Sequence, residues 1–426
     1  MATYTVNTAG SAVVKYPASL LVNDILQFNR TDYGRNGVIM AWTVPTAGKY
    51  KFTVAGAVGG TAVKKGFSGG QGIATTGTVT LKKGEVVQVL VGHAGGSYDN
   101  GGAGGGGSFT ALGSLSSSVP IMIAGGGGGA GYTTSAGVGT ISNSGGTSPG
   151  QSEPIGGING NGGNSIPCGS CPGGGGGGFY TDGHTVSYGS DGKIVSWETV
   201  SSPTSSYTQG GKAFRRGGTG GYGVASAQSA GGEGGFGGGA GNGYFGGGGG
   251  GGYSGGSGGK SNNEGGGGGG SYASPDRVTE FASAGYNSSN GYVTIQLIKL
   301  EGLPPTVPTN LKVTSSVNNI YMSGEIVSVS WDASTDPDGS AITYEVEFYN
   351  GSAWSNISAK ITDTKYDCIL PSIATDKAQI RVRAMDGENN ASDYVSSNVF
   401  TIAKQLYIIK DGDVSKAYKN GNWESI

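Results

Sequence analysis

The sequence predicts an all-β protein in which glycine-rich segments are built into a folded frame. Three observations predict it. Almost no stretch of the 426 residues carries the 3.6-residue period of a helix. Short alternating or apolar runs bounded by turn residues recur along the chain. Glycine totals 91, of which residues 1–300 hold 84 and residues 301–426 hold 7. That shift sets a domain boundary near residue 300.

The strand signals come in order. Tyr50-Lys51-Phe52-Thr53-Val54-Ala55-Gly56 alternates, after a turn supplied by Pro45, Gly48 and Lys49. Thr78-Val79-Thr80-Leu81 and Val86-Val87-Gln88-Val89-Leu90-Val91 follow, and Lys82-Lys83-Gly84-Glu85 between them is expected to be a hairpin connection. Val119 to Ala124 and Gly291 to Ile298 add further strands. Together they suffice for a small antiparallel sandwich.

Between these strands lie pure glycine runs: 104–107, 125–129, 173–178, 246–252 and 265–270. Gly/Ser tracts usually mean flexible linker. A linker would not be flanked by strand signals on both sides, nor interrupted by single aromatics such as Phe236, Tyr244, Phe245 and Tyr253. The ordered alternative is a bundle of chains in the polyproline II conformation, three residues per turn, bonding sideways to one another. Only glycine permits that approach, and a frame of strands fixing both ends of each run reduces its entropic cost. Phe236, Phe245 and Tyr253 are then expected to pack over bare backbone.

Several classes of function are excluded by composition. Charged residues are 13% and the net charge is −2, which argues against a nucleic-acid partner. No run of about 18 apolar residues encodes a membrane helix, and the start, Met1 to Asn7, does not resemble a secretory signal. The nearest phosphate-loop candidate, Ser254 to Ser261, has Ser254 where the motif needs glycine and lacks the flanking strand and helix. A Ser/His/Asp triad would have to use His93, read as a strand-end rim residue, or His184, in a polar loop. Cys168-Gly169-Ser170-Cys171 has CxxC spacing without two further paired ligands for zinc. Whether the two thiols form a loop staple stays open. Asp336-Pro337-Asp338-Gly339 reads as a turn, far short of a calcium set. With no secretion expected, the four Asn-x-Ser/Thr triplets are read as chance in a Ser/Thr-rich chain. No catalysis, cofactor or metal is expected.

Gly48 to Gly60, then Leu90-Val91-Gly92, Gly104 to Thr110 and Ile123 to Gly129, resembles the glycine-rich domain of the anaplastic lymphoma kinase receptor. The closing block Gly252-Tyr253-Ser254-Gly255-Gly256 with Ser271-Tyr272 continues the likeness, which spans roughly residues 26–298. The resemblance implies a jelly-roll-like β-sandwich with an inserted polyglycine II helix bundle. Similar bundles occur in adhesins at bacteriophage tail-fibre tips, where loops between the helices bind the host receptor. Pro304 to Val313, Val327 to Trp331, Asp336 to Gly339, Tyr344 to Phe348 and Ile380 to Ala384 resemble a fibronectin type III β-sandwich over 303–402, with Trp331 as its buried aromatic. Gln405 to Gly412 with Trp423 is similar to short C-terminal β modules, here 403–426, of tail proteins from phages of Gram-positive bacteria. Residues 1–25 are expected to be an N-terminal segment available for attachment.

The expected function is that of a phage tail or tailocin protein. It would recognise a bacterial surface glycan or surface protein and contact other tail or baseplate proteins, in a virion or extracellular particle assembled in the cytoplasm. No membrane insertion is implied. The alternative is a purely structural spacer. A cell-wall hydrolase would need a catalytic constellation. The stretch 173–253 holds 11 aromatics, and 151–272 carries 5 basic against 6 acidic groups. That nearly neutral Tyr/Ser/Asn/Gly surface resembles antibody paratopes and also suits sugars. The longest loop, 179–215, supplies the candidate contacts Tyr188, Trp197, Tyr207, Arg215 and, just beyond it, Arg216. It carries its own hairpin signal at Tyr188 to Val195 and is expected to lie outside the frame, where substitutions leave stability unchanged.

Overall fold

The structure, a computed structural model, describes residues 2–7, 16–29, 34–149, 152, 155–167, 172–187, 192–203, 205–224, 232–260, 264–314, 319–404, 407–411, 414–419 and 422–425. The fold is nearly all β, and the chain divides into two compact units, Met1–Lys299 and Leu300–Ile426.

The first unit is framed by two sheets. One contains β1 (Thr3–Asn7), β2 (Ile25–Asn29), β4 (Gly48–Ala55), β5 (Gly72–Leu81), β13 (Val278–Asn287) and β14 (Tyr292–Leu300), in the order β1-β2-β14-β4-β5-β13. The other contains β3 (Met40–Thr43), β6 (Val86–Leu90), β7 (Ser108–Leu112), β8 (Val119–Ala124) and β12 (Tyr272–Ala273), in the order β12-β8-β7-β6-β3. Alternation dictates the packing. In β4, Tyr50, Phe52 and Val54 are buried while the intervening residues point outward. Trp42 of β3 meets Tyr50 edge-on with centroids 5.7 Å apart, tying one sheet to the other. Residues 82–85 make no hairpin, in contrast to the sequence expectation. β5 pairs with β4 and β13, while β6 pairs with β3 and β7. The turn therefore crosses between sheets, because each strand pairs with segments distant in sequence and not with its neighbour across the turn.

Residues 56–71, 91–107 and 125–271 leave the frame between β4 and β5, β6 and β7, and β8 and β12. All three depart from one end. There the buried Ser108 hydroxyl donates to Ala55 O at 2.6 Å and accepts from Gly92 N at 2.9 Å. Beyond this seam the glycine runs are buried and bond to one another. The run 246–252 shows the rule. Gly247, Gly250 and Tyr253 donate to Glu264, Gly267 and Gly270; Gly248 and Gly251 donate to Gly102 and Gly105; Gly249 and Gly252 donate to Gly174 and Gly177. Each neighbour is thus served at every third residue. The carbonyls of the same run accept from Gly126 and Gly129, from Ala240, and from Gly256 and Gly259, so six segments surround it at N···O distances of 2.8–3.2 Å. A Cβ on Gly249 would stand 2.2 Å from Gly256 O and 2.7 Å from Gly176 N. Backbone fills that space.

The second unit contains β15 (Thr309–Val313), β16 (Ile320–Met322), β17 (Ile326–Asp332), β18 (Thr343–Tyr349), β19 (Trp354–Asn356), β20 (Lys365–Ile369), β21 (Thr375–Met385), β22 (Val395–Ser396) and β23 (Phe400–Ala403). They form one sheet ordered β15-β17-β20 and another ordered β16-β23-β21-β18-β19, with β22 on β21. Trp331, 4% exposed, packs in their common core against Tyr344 with centroids 5.2 Å apart. β24 (Tyr407–Asp411), β25 (Val414–Lys419) and β26 (Asn422–Ser425) make a three-stranded antiparallel sheet.

Two parts of this architecture can be checked, the glycine run first. Gly249→Val should lower stability by about 3 kcal/mol, and amides of 247–252 should exchange slowly, because each donates to a backbone carbonyl inside the bundle. The second concerns Asp24, whose carboxylate accepts from Ala2 N at 2.7 Å and Leu21 N at 3.1 Å, latching edge strand β1 beside β2. Those two bonds, that from Ala2 first, hold its pKa below the ordinary carboxylate value. The latch therefore contributes fully above the unfolded carboxylate pKa and is lost as pH falls through the depressed one. Asp24→Asn should flatten that part of the acid-stability curve.

Candidate functional site

The segment expected to be a free loop is seated on the frame. The outward residues of the five-stranded sheet, Leu90, Phe109, Ala111 and Ile123, are covered by Phe179, Phe214 and Phe236. Phe109, Phe214 and Phe179 stack in sequence at 4.9 and 5.1 Å. Tyr253 stacks on Tyr272 at 4.3 Å and tilts against Phe179 at 6.4 Å. Thr185–Ser187 (β9) pairs antiparallel with Ile194–Val195 (β10) and Tyr207–Thr208 (β11). On either side, the 183–184 and 208–213 stretches run within the bundle, where Gly183 N bonds Gly211 O and Gly211 N bonds Gly175 O. The described residues 179–187 and 205–215 therefore run with the bundle, residues 192–203 lie on its flank, and substitutions at Phe179 or Phe214 act on the core.

The predicted contact residues separate on this scaffold. Tyr188 lies outside the described residues, as do Cys168 and Cys171. Trp197 is half-buried on the flank, its Nε1 donating to Gly210 O at 2.9 Å. Tyr207 is half-buried in β11. Arg215 turns inward. Its Nε donates to Ser118 O at 3.0 Å, a second guanidinium nitrogen joins the same carbonyl, and the group lies over Tyr180 and Phe179 at 4.7 and 5.4 Å. It fastens the insert to the turn before β8. Arg216 bonds Asp182 at 2.5 Å and also Glu198. Burial, the largest influence, raises the Asp182 pKa, opposed by the Ala213 N–H and Arg216.

Four residues around Trp197 escaped sequence reasoning. Gln209, fully buried, donates through Nε2 to Trp197 O and Val200 O, each at 2.8 Å. Its Oε1 accepts from Tyr222 N and from Arg35, each at 3.0 Å. Arg35 is 8% exposed, donates Nε to Gly220 O at 2.9 Å, and lies 3.4 Å over the Tyr222 ring and 5.8 Å from the Trp197 ring. Burial lowers its pKa, with Tyr222 and Glu233 opposing. Lys212 Nζ stands 4.2 Å from the Trp197 ring. No sequence signal joins Arg35 to residues 174 positions away.

A second aromatic group forms where turns meet at the far end of the bundle. Val63 N bonds Tyr98 O and Tyr132 N bonds Phe245 O, joining turns near 62–67, 97–102, 131–134 and 243–246. Tyr132 and Tyr244 contact Phe245 edge-on at 5.0 and 4.6 Å. Lys65 lies 3.9 Å over Tyr132, and Lys64 pairs with Asp99 at 2.6 Å. Phe245, expected to cover bare backbone, thus packs with rings from two turns. The aromatic pair Tyr244-Phe245 directly before the run 246–252 was the available signal.

Other candidates resolve into structure. His93, expected at a rim, is fully buried, with Nδ1 2.8 Å from Gly34 O and its ring against Phe236. Ser165 N donates to His184 Nδ1 at 3.3 Å. Asp336 Oδ1 accepts from Asp338 N and Ser340 N at 3.1 and 2.9 Å, the bonding of a turn. Among the described residues no group of three or more His, Cys, Asp or Glu side chains could hold a metal, and no helix is long and apolar enough to cross a membrane. No known family model matches the chain, and no curated protein matches it either.

Phe214→Ala should destabilise the first unit by about 3–5 kcal/mol in thermal or denaturant unfolding, by removing the middle ring of a buried stack. A loss below about 1 kcal/mol would return 179–215 to the status of a peripheral loop.

Proposed function

We propose that the chain is a phage tail or tailocin component that recognises the bacterial host surface. Its first unit is then a jelly-roll-like frame carrying polyglycine II helices, its second a fibronectin type III domain followed by a short β module. The observation that carries this reading is the bonding of run 246–252, which donates to three neighbours at every third residue and is surrounded by six segments. Such a scaffold has a rigid interior without side chains, so recognition falls to what its turns and flanks hold out. The Trp197 flank and the Tyr132/Tyr244/Phe245 end are aromatic, half-exposed and fixed by backbone bonds. Fixed aromatics supply contact area at low entropic cost. In this reading other tail or baseplate proteins hold the chain in the particle, and a surface glycan or surface protein is the ligand.

Adsorption of the purified chain to host envelopes tests the proposal. Trp197→Ala should weaken adsorption by about 2 kcal/mol, with the folded state verified by its melting curve. A chain that folds but adsorbs to no bacterial envelope would favour the spacer role instead.

A further inference from the structure

Around Trp197 two cations stand without a bonded carboxylate. Six charged groups bear on it: Asp182, Glu198, Glu233, Arg216, Lys212 and Arg35. Asp182 and Glu198 bond Arg216. Lys212 influences Asp182 and Glu198 only from a distance, and its ammonium lies on the indole face. Arg35 bonds a carbonyl and an amide oxygen, both neutral, and feels Glu233 only through space. Among the described residues, no carboxylate contacts Lys212 or Arg35. A guanidinium 8% exposed and without a carboxylate is unusual, because buried charges are normally paired. The arrangement is also fixed in place: Gln209 holds Arg35 and the Trp197 carbonyl together, and Gly210 O holds the indole nitrogen.

We propose that this flank binds the anionic group of a surface polymer, a phosphate or carboxylate carried on a polyol or sugar chain. Lys212, seated on the indole face, supplies the charge, the uncovered part of the half-buried Trp197 ring adds apolar contact, and the buried Arg35 adds a fixed positive field. This rests on the recognition reading of the Trp197 surface and adds the chemistry of its ligand. A neutral sugar would use the ring and leave both cations unanswered.

The test is calorimetric titration of the full chain with three probes: poly(glycerol phosphate), polygalacturonate and neutral dextran. At least one anionic polymer should bind about tenfold or more tighter than dextran, and preference between the two identifies phosphate or carboxylate. Lys212→Gln should abolish that tenfold advantage, Lys212→Arg should keep it, and 0.5 M salt, where the Debye length is only about 4 Å, should remove most of it. The Lys212→Arg variant guards against a purely structural loss, since it retains the cation on the indole. Equal binding of all three polymers, no binding of either anionic one, or indifference to Lys212→Gln would overturn the proposal. Envelope adsorption that persists alongside any of those results would leave the recognition reading standing and remove only the anionic ligand.

Discussion

Each peptide group inside the glycine bundle must find its partner on another segment, because a three-residue turn provides none within its own. That constraint organises the first unit. Six neighbours around run 246–252 accept or donate in rotation, so the interior is a lattice of backbone bonds. The lattice closes only where no Cβ intervenes, as the 2.2 Å approach at Gly249 illustrates. A segment displaced by one residue would turn its donors to the wrong neighbours. Register is therefore set by hydrogen bonding where an ordinary core would set it by side-chain shape.

The frame makes such a lattice affordable. Glycine loses more conformational entropy on ordering than any other residue, and the frame limits that loss by fixing the ends of the runs. Strand pairs in both sheets deliver the outgoing and returning chain side by side, and Ser108 joins the two sheets where the bundle begins. Aromatics do the complementary work. Phe179, Phe214 and Phe236 come from turns that lead back to the frame, and they cover the outer face of the five-stranded sheet. That sheet is thus buried on both sides, by the other sheet and by the returning bundle.

Side chains that the interior excludes appear at turns and along the flank. This separation concentrates polar chemistry in few places. Arg215 and Arg216 serve attachment, one to the Ser118 carbonyl and one to two carboxylates. Arg35 and Lys212 remain as cations beside an aromatic ring without a bonded carboxylate. The difference lies in what surrounds each group in the fold, since all four are basic residues.

The all-β character, the break in composition near residue 300 and the burial of Trp331 were legible in the sequence. Alternation and turn residues are local properties and can be read directly. The strand at Tyr50 to Ala55 is a clear case. Which sheet a strand joins is a non-local decision. The turn at 82–85 looked like a hairpin, yet its strands pair with β4 and β13 on one side and β3 and β7 on the other. The candidate site divided in the same way. Trp197 could be singled out by residue type, and it does lie half-buried on the flank. The inward turn of Arg215 could not be foreseen, because its partner is 97 positions away. Nor could the meeting of Arg35 with Trp197, or of Tyr132 with Phe245. The sequence by itself determined that backbone could close on backbone within the long glycine runs, since no residue there carries a Cβ. Only the tertiary structure decided which of the remaining side chains meet, because hydrogen bonds between distant segments set their order in space.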